Sequence, residues 1–196
     1  MLVSSFHKLR EEERERRKQI IVDAVERVAT EKSLNEITVK DISFEAGIKP
    51  STIYRFFDSK DDLLCSMIIT EIEKIGGMVD EFSKNKKTSM DQIVEIMVDY
   101  LIENNFITQA LWYFFIGLGS NKSVAAYFEV IEEKVILLFE KLMVIAGIKG
   151  NNTFKAQAVL YSLMGLVMFF KKSDILSKQE IKNYIITIIE TVGNTV

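Results

Sequence analysis

Between Thr38 and Pro50 the chain carries three helix signals whose spacing leaves it little freedom. Thr38-Val39-Lys40-Asp41 has the form of a capping box. Its hydroxyl can accept a first-turn N–H, and its carboxylate can reach back across two spacers. Gly47 falls where a left-handed residue ends a short helix. Pro50 falls at the start of the next helix, where its missing N–H is harmless. Val39, Ile42 and Ala46 share the inner face between these signals. A helix, a tight glycine turn and a second short helix at this spacing make a helix-turn-helix.

The remainder reads as helix throughout. A mixed-charge run over residues 8–18 is a solvated helix start. Ile21, Ala24, Val25 and Val28 then mark one helical face that ends near Lys32-Ser33. Ser59-Lys60-Asp61-Asp62 repeats the capping pattern and predicts a long helix through Leu63, Met67, Ile68, Ile72 and Ile75. Gly76-Gly77 are expected to bend or loosen it. A polar break over 83–88 leads to Ser89-Met90-Asp91-Gln92, a third box. Asn104-Asn105 interrupt the helix that follows. An aromatic helix is expected over 106–118, an amphipathic one over 124–145, a loop over 147–153, and a final pair over 154–170 and 181–192. Ser177-Lys178-Gln179-Glu180 opens the last of these. With one Pro and nine Gly in 196 residues, and no alternating strand pattern, the chain is expected to be all-α, with about nine helices. The expected division is a helix-turn-helix domain over 1–60 and a larger helical domain over 61–196.

Several functional classes lose support on composition. Cys65 is the one cysteine and His7 the one histidine. Neither a cysteine-based zinc site nor a Ser-His-Asp arrangement is expected. No nucleophile elbow, phosphate loop or paired carboxylates stand at a catalytic spacing, so neither an enzyme nor a cofactor is expected. The apolar runs at 110–118 and 163–170 are too short to span a bilayer, and a cytoplasmic protein with no membrane partner is expected.

The stretch IKPSTIYRFFDSK, residues 48–60, concentrates hydrogen-bond donors. Ile53, Phe56 and Phe57 form its apolar side. Lys49, Ser51, Thr52, Tyr54 and Arg55 cannot all be buried with them. Phosphates and base edges are rich in the acceptors such a cluster would meet. The free N–H groups of this helix add an expected preference for an anion, and Lys60 stands ready for a further phosphate.

The text RKQIIVDAVERVATEKSLNEITVKDISFEAGIKPSTIYRFFDSKDDLLCSM, residues 17–67, resembles the DNA-binding domain of the TetR family of transcriptional regulators. Thr38, Asp41-Ile42, Ala46-Gly47-Ile48, Thr52-Ile53-Tyr54, Phe56-Phe57 and Ser59-Lys60 carry the resemblance in order and spacing. It implies that Thr52, Tyr54 and Lys60 contact phosphates and that Thr38 caps the second helix near the DNA backbone. Lys49, Pro50, Ser51 and Arg55 would face the major groove. Pro50-Ser51 stand where many members have Lys-Gly, and Arg55-Phe56 where an aromatic and His are common. The operator therefore does not carry over from a relative.

The larger half has no motif. By the same resemblance it would form a dimerisation and ligand domain, and its patterning agrees. The last helix has a broad apolar stripe, and the one before it is apolar nearly all round, so a second covering surface is required. Ala158, Ser162 and Gly165, with Ile181, Ile185, Ile188 and Val192, are the expected homodimer interface. Phe106, Leu111, Trp112, Phe115, Phe128, Met164 and Met168 are the expected lining of a site for a hydrophobic small-molecule effector. Few buried charges are expected there. The function expected is a repressor that binds a pseudo-palindromic double-stranded DNA operator as a homodimer and is released by that effector. The alternative is a helical lipid- or small-molecule-binding protein with little specific DNA binding. The charge balance keeps that alternative open, because the first sixty residues hold twelve Lys and Arg against eleven Asp and Glu. DNA affinity would have to come from the placement of a few cations.

Overall fold

Helix follows helix along this chain, as the caps and periodicity require. The computed structural model describes residues 2–84, 89–117, 122–145, 147–150, 152–170 and 177–193. Among them are nine helices and no strand: α1 (Leu2–Glu31), α2 (Val39–Glu45), α3 (Pro50–Ile53), α4 (Lys60–Lys84), α5 (Met90–Glu103), α6 (Asn105–Gly117), α7 (Lys122–Ile145), α8 (Asn152–Phe170) and α9 (Lys178–Gly193). Two units result, Met1–Met67 and Ile68–Val196. The division falls later than the expected 60/61. The first turns of α4 belong to the N-terminal unit, where Leu63, Leu64, Cys65 and Met67 are buried.

In the first unit, α1 packs on α2 and α2 on α3. The charged start of α1 is solvent-exposed and laced by pairs one turn apart, Glu13–Arg17 and Glu15–Lys18. Such pairs support a helix with a few tenths of a kcal/mol each. Ile21, Ala24 and Val25 then bury completely, together with Ile42 of α2. Thr38 caps α2 as expected: its Oγ1 accepts the Asp41 N–H, and the Asp41 carboxylate accepts the Thr38 N–H at 2.8 Å. Past α2, Gly47 takes φ +65°. Its N–H donates to the Phe44 carbonyl and that of Ile48 to the Ser43 carbonyl, the paired bonds of a Schellman turn.

In the second unit one core gathers Val79 of α4, Val94 and Val98 of α5, Phe139 and Leu142 of α7, Val159 of α8, and Ile185 and Ile189 of α9. The capping boxes at Ser89 and Ser177 are formed. The helix through Gly76-Gly77 continues unbroken. Among the described residues of this unit, two lysines are buried. Lys155 is buried, its ammonium donating to the carbonyls of Lys149 (2.7 Å) and Gly193 (3.0 Å). Lys182 is buried and bonds Glu95 at 2.6 Å, joining α9 to α5. Lys182 is ion-paired and Lys155 is hydrogen-bonded to carbonyls, which makes their burial tolerable.

The stripe on α9 contributes to the chain's own core. Ile185 lies within the chain's own core, and Ile181, Ile188 and Val192 pack against it half-buried. Apolar residues at 185, 186, 188 and 189 widen the stripe until sequence alone cannot say which half turns inward. On α8, by contrast, Ser162 and Gly165 are exposed and Ala158 is half-buried. No atom outside the local helix comes within 4 Å of a Cβ placed on Gly165.

Candidate nucleic-acid interface

The donor-rich segment owes its display to a short helix with a buried rear. α3 is a single turn, begun by Pro50 with Lys49 as an N-cap that offers no side-chain bond. Residues 54–56 continue it as turns, with the Tyr54 N–H donating to the Pro50 carbonyl and the Phe57 N–H to that of Ile53. Ile53 and Phe57 are buried and Phe56 is half-buried, so the apolar side reads as expected. Lys49, Pro50, Ser51, Tyr54 and Arg55 are exposed, and Thr52 is half-buried. Tyr54 keeps 55% of its surface open. The N-terminus of α3 has no side-chain cap, and a four-residue helix adds little macrodipole to its free N–H groups.

Two of the expected residues also serve the fold, Thr38 in its expected role as the cap of α2. Thr38 is exposed, but its hydroxyl serves the cap. Lys60 is half-buried, and its ammonium donates to the carbonyls of Leu34 (2.9 Å) and Ile37 (3.1 Å). These carbonyls belong to the turn between α1 and α2, whose side chains are buried. Burial pushes the Lys60 amine down from its ordinary value, and Asp61 partly opposes this. Lys60 thus brackets the turn that delivers Thr38.

Electrostatics separate the two charge signs more sharply than the count of twelve against eleven implies. On α2, Asp41 pairs with Lys32 at 2.7 Å and Glu45 pairs with Arg27, both cations coming from the α1 side. The Lys32 ammonium, with the Thr38 hydroxyl and N–H, holds the Asp41 carboxyl well below the usual carboxylate range. Lys40, Lys49 and Arg55 are exposed and have no ion-pair partner among the described residues. Sequence reasoning missed Lys40. The signal was its exposure one turn before Phe44, on the flank opposite the inner face Val39, Ile42 and Ala46.

In the second unit the expected effector set is only partly visible. Phe106, Leu111, Trp112 and Phe128 are half-buried on α6 and α7, which pack together. The side chains of Phe115, Met164 and Met168 lie outside the described residues. Phe114 between them is fully buried and edge-on to Tyr127, ring centres 6.3 Å apart. A cavity of about 580 Å³ opens elsewhere, lined by Asp80, Leu137, Glu140, Lys141, Val144, Ile145 and Asn152. None of the expected lining residues borders it, and its charged rim was not anticipated. No helix among the described residues is long and apolar enough to cross a membrane.

Residues 21–67 match the family model for bacterial regulatory proteins of the tetR family. An uncharacterised HTH-type transcriptional regulator of Haemophilus influenzae is 26% identical over 102 residues, 50% of this chain and 47% of that protein. The fatty acid metabolism regulator protein of Bacillus subtilis is 29% identical over 77 residues, 39% of this chain and 40% of the relative. The chain thus spans about half the length, or less, of the curated relatives it matches. In three dimensions it is similar to the Bacillus subtilis transcriptional regulator FadR solved in complex with stearoyl-CoA. The TM-score is 0.67 at 16% identity, covering 91% of this chain and 98% of that one. That similarity concerns the fold.

Proposed function

Because the chain belongs to the TetR family of bacterial regulatory proteins, we propose that it acts in the cytoplasm as a homodimeric repressor on a pseudo-palindromic operator, and that a hydrophobic small molecule releases it. The observation that carries the DNA reading is the α2–α3 surface. Lys49, Ser51, Tyr54 and Arg55 face outward, while the acids of α2 are paired with Arg27 of α1 and with Lys32 just past its end. Arg55 is the residue proposed to read guanine O6 and N7. Lys49 and Tyr54 are proposed to hold phosphates. Lys60 acts through the turn it brackets.

A homodimer gives two such surfaces a fixed separation and the operator its two-fold character. The proposed partner face is the exposed flank of α8 at Ser162 and Gly165, extended by the half-buried Ala158, Ile181, Ile188 and Val192. Release would follow when ligand favours a spacing of the two surfaces that does not match the operator. The proposed effector class is a long-chain acyl thioester, on the model of the stearoyl-CoA held by the structural neighbour. The half-buried aromatic residues Phe106, Trp112 and Phe128 of α6 and α7 would take the acyl chain.

The experiment is binding of the purified protein to DNA from upstream of its own gene, against random competitor, at several salt concentrations. Specific binding is expected to weaken in Arg55→Ala by about 1–3 kcal/mol at the guanine position alone. Stearoyl-CoA, and not free CoA, is expected to release the DNA and shift the emission of Trp112, the one tryptophan in the chain. Binding no tighter than to competitor at any upstream fragment, with acyl-CoA still bound, would favour the ligand-carrying alternative.

A further inference from the structure

Phe44 is 89% exposed on a helix that otherwise uses its apolar residues inwardly. Its surroundings say what it faces. Around α2, Ile42 and Ser43 are buried. Asp41 and Glu45, one turn apart, form the flank tied to α1 through Lys32 and Arg27. Lys40 and Phe44, also one turn apart, occupy the flank that remains. That flank joins the donor-bearing segment through the Schellman turn: the Phe44 carbonyl accepts the Gly47 N–H, and Lys49 follows two residues later. It presents an exposed cation without an ion-pair partner among the described residues, beside an exposed aromatic ring.

The partner that fits this pair must be anionic and carry a small apolar group within one helical turn of the charge. A DNA strand does so wherever thymine stands in the major groove, with its C5 methyl group next to the backbone phosphates. A second copy of this chain fits less well, since it would have to meet Lys40 with an acid, and the acids of α2 are already paired. We propose that Phe44 is a specificity residue that packs against a thymine methyl group in each half-site, with Lys40 on the neighbouring phosphate. This rests on the operator-binding reading and extends it from α3 to α2.

The test starts with duplexes selected from a random pool by the full-length protein. In the best of them, each thymidine of a half-site is replaced in turn by deoxyuridine, which removes only the methyl group. The wild type is expected to lose about threefold to fivefold at one position per half-site, the worth of one buried methyl. Phe44→Ala, which removes the contact in both half-sites, is expected to lose about that factor squared, roughly tenfold to twenty-fivefold, on the unsubstituted duplex and nothing further at that deoxyuridine. Its thermal unfolding is expected to be unchanged, because the ring is exposed. Lys40→Ala, which removes one phosphate contact in each half-site, is expected to weaken all sequences alike and to lower the salt slope by about two. The proposal is overturned if the wild type ignores every deoxyuridine, or if Phe44→Ala keeps the full deoxyuridine penalty. A change in sedimentation of Phe44→Ala with no change in DNA affinity also overturns it, in favour of a protein contact. Failure to select any duplex over the pool would instead sink the operator-binding reading itself.

Discussion

The two units of this chain are stabilised by different kinds of information. In the first, short elements are set by individual devices: three local ones, the Thr38 box, the Gly47 turn and Pro50 at the start of α3, and one that reaches across the chain, the Lys60 bracket. In the second, long helices are held by a shared apolar core drawn from α4, α5, α7, α8 and α9. Loss of one device should disturb one place in the first unit. Loss of one core side chain in the second should be felt by several helices at once. The difference follows from the tasks proposed for each. A surface that reads DNA needs a few groups at fixed spacing, whereas a ligand domain needs a core that can be repacked.

Four outcomes would break or sharpen this contrast. The largest is expected from Phe114→Ala in α6, whose ring is fully buried. It should cost about 3–5 kcal/mol in denaturant unfolding and weaken acyl-ligand binding, with DNA contacts unchanged in sequence preference. Next is Lys60→Met, which keeps the stem but removes both bonds to the Leu34 and Ile37 carbonyls. It should cost about 2 kcal/mol and loosen amide protection at residues 33–38 in hydrogen exchange. An unchanged exchange pattern with uniformly weaker DNA binding would return Lys60 to the role of a phosphate contact.

Gly47→Ala meets no neighbouring atom, so only the left-handed backbone opposes it. A cost of about 1–2 kcal/mol in stability is expected, with a larger loss in operator affinity if the turn aims α3. The smallest effect is the acid response of Asp41. Its folded carboxyl lies below its unfolded value because of Lys32 and Thr38. Its contribution is therefore present above about pH 4 and lost as pH falls below that. Asp41→Asn should flatten the acid limb of the thermal stability profile and leave neutral pH affinity little changed. An acid limb identical to the wild type's would remove Asp41 from the account.

The same contrast explains what could be read in advance. Thr38, Gly47, Pro50 and Ser89 act over three or four residues, so their roles were legible from neighbours in sequence. At Ser59 the reading was half right. Its Oγ accepts the Asp62 N–H, but the Asp62 carboxylate turns to the Asp58 N–H instead. The Lys60 bracket was not legible, since its partners lie 23 and 26 residues away. In the second unit the helices were legible and their faces were not. Ile185 and Ile188 look alike in the sequence, yet one is in the core and the other only packs against it. The cavity at Leu137 and Val144 arises where α4, α7 and the start of α8 converge, and no periodicity in one helix reports that.

The Schellman turn at Gly47 has a consequence for how this chain can change over generations. One residue inserted into α2 would rotate everything beyond it by about 100°, changing the direction in which the exposed Lys49 and Arg55 are presented relative to α1. A deletion would do the same in the opposite sense. Substitutions at 49, 51 and 55, all exposed, alter only what is presented. Exchanging side chains at constant length is therefore the expected route to a new operator.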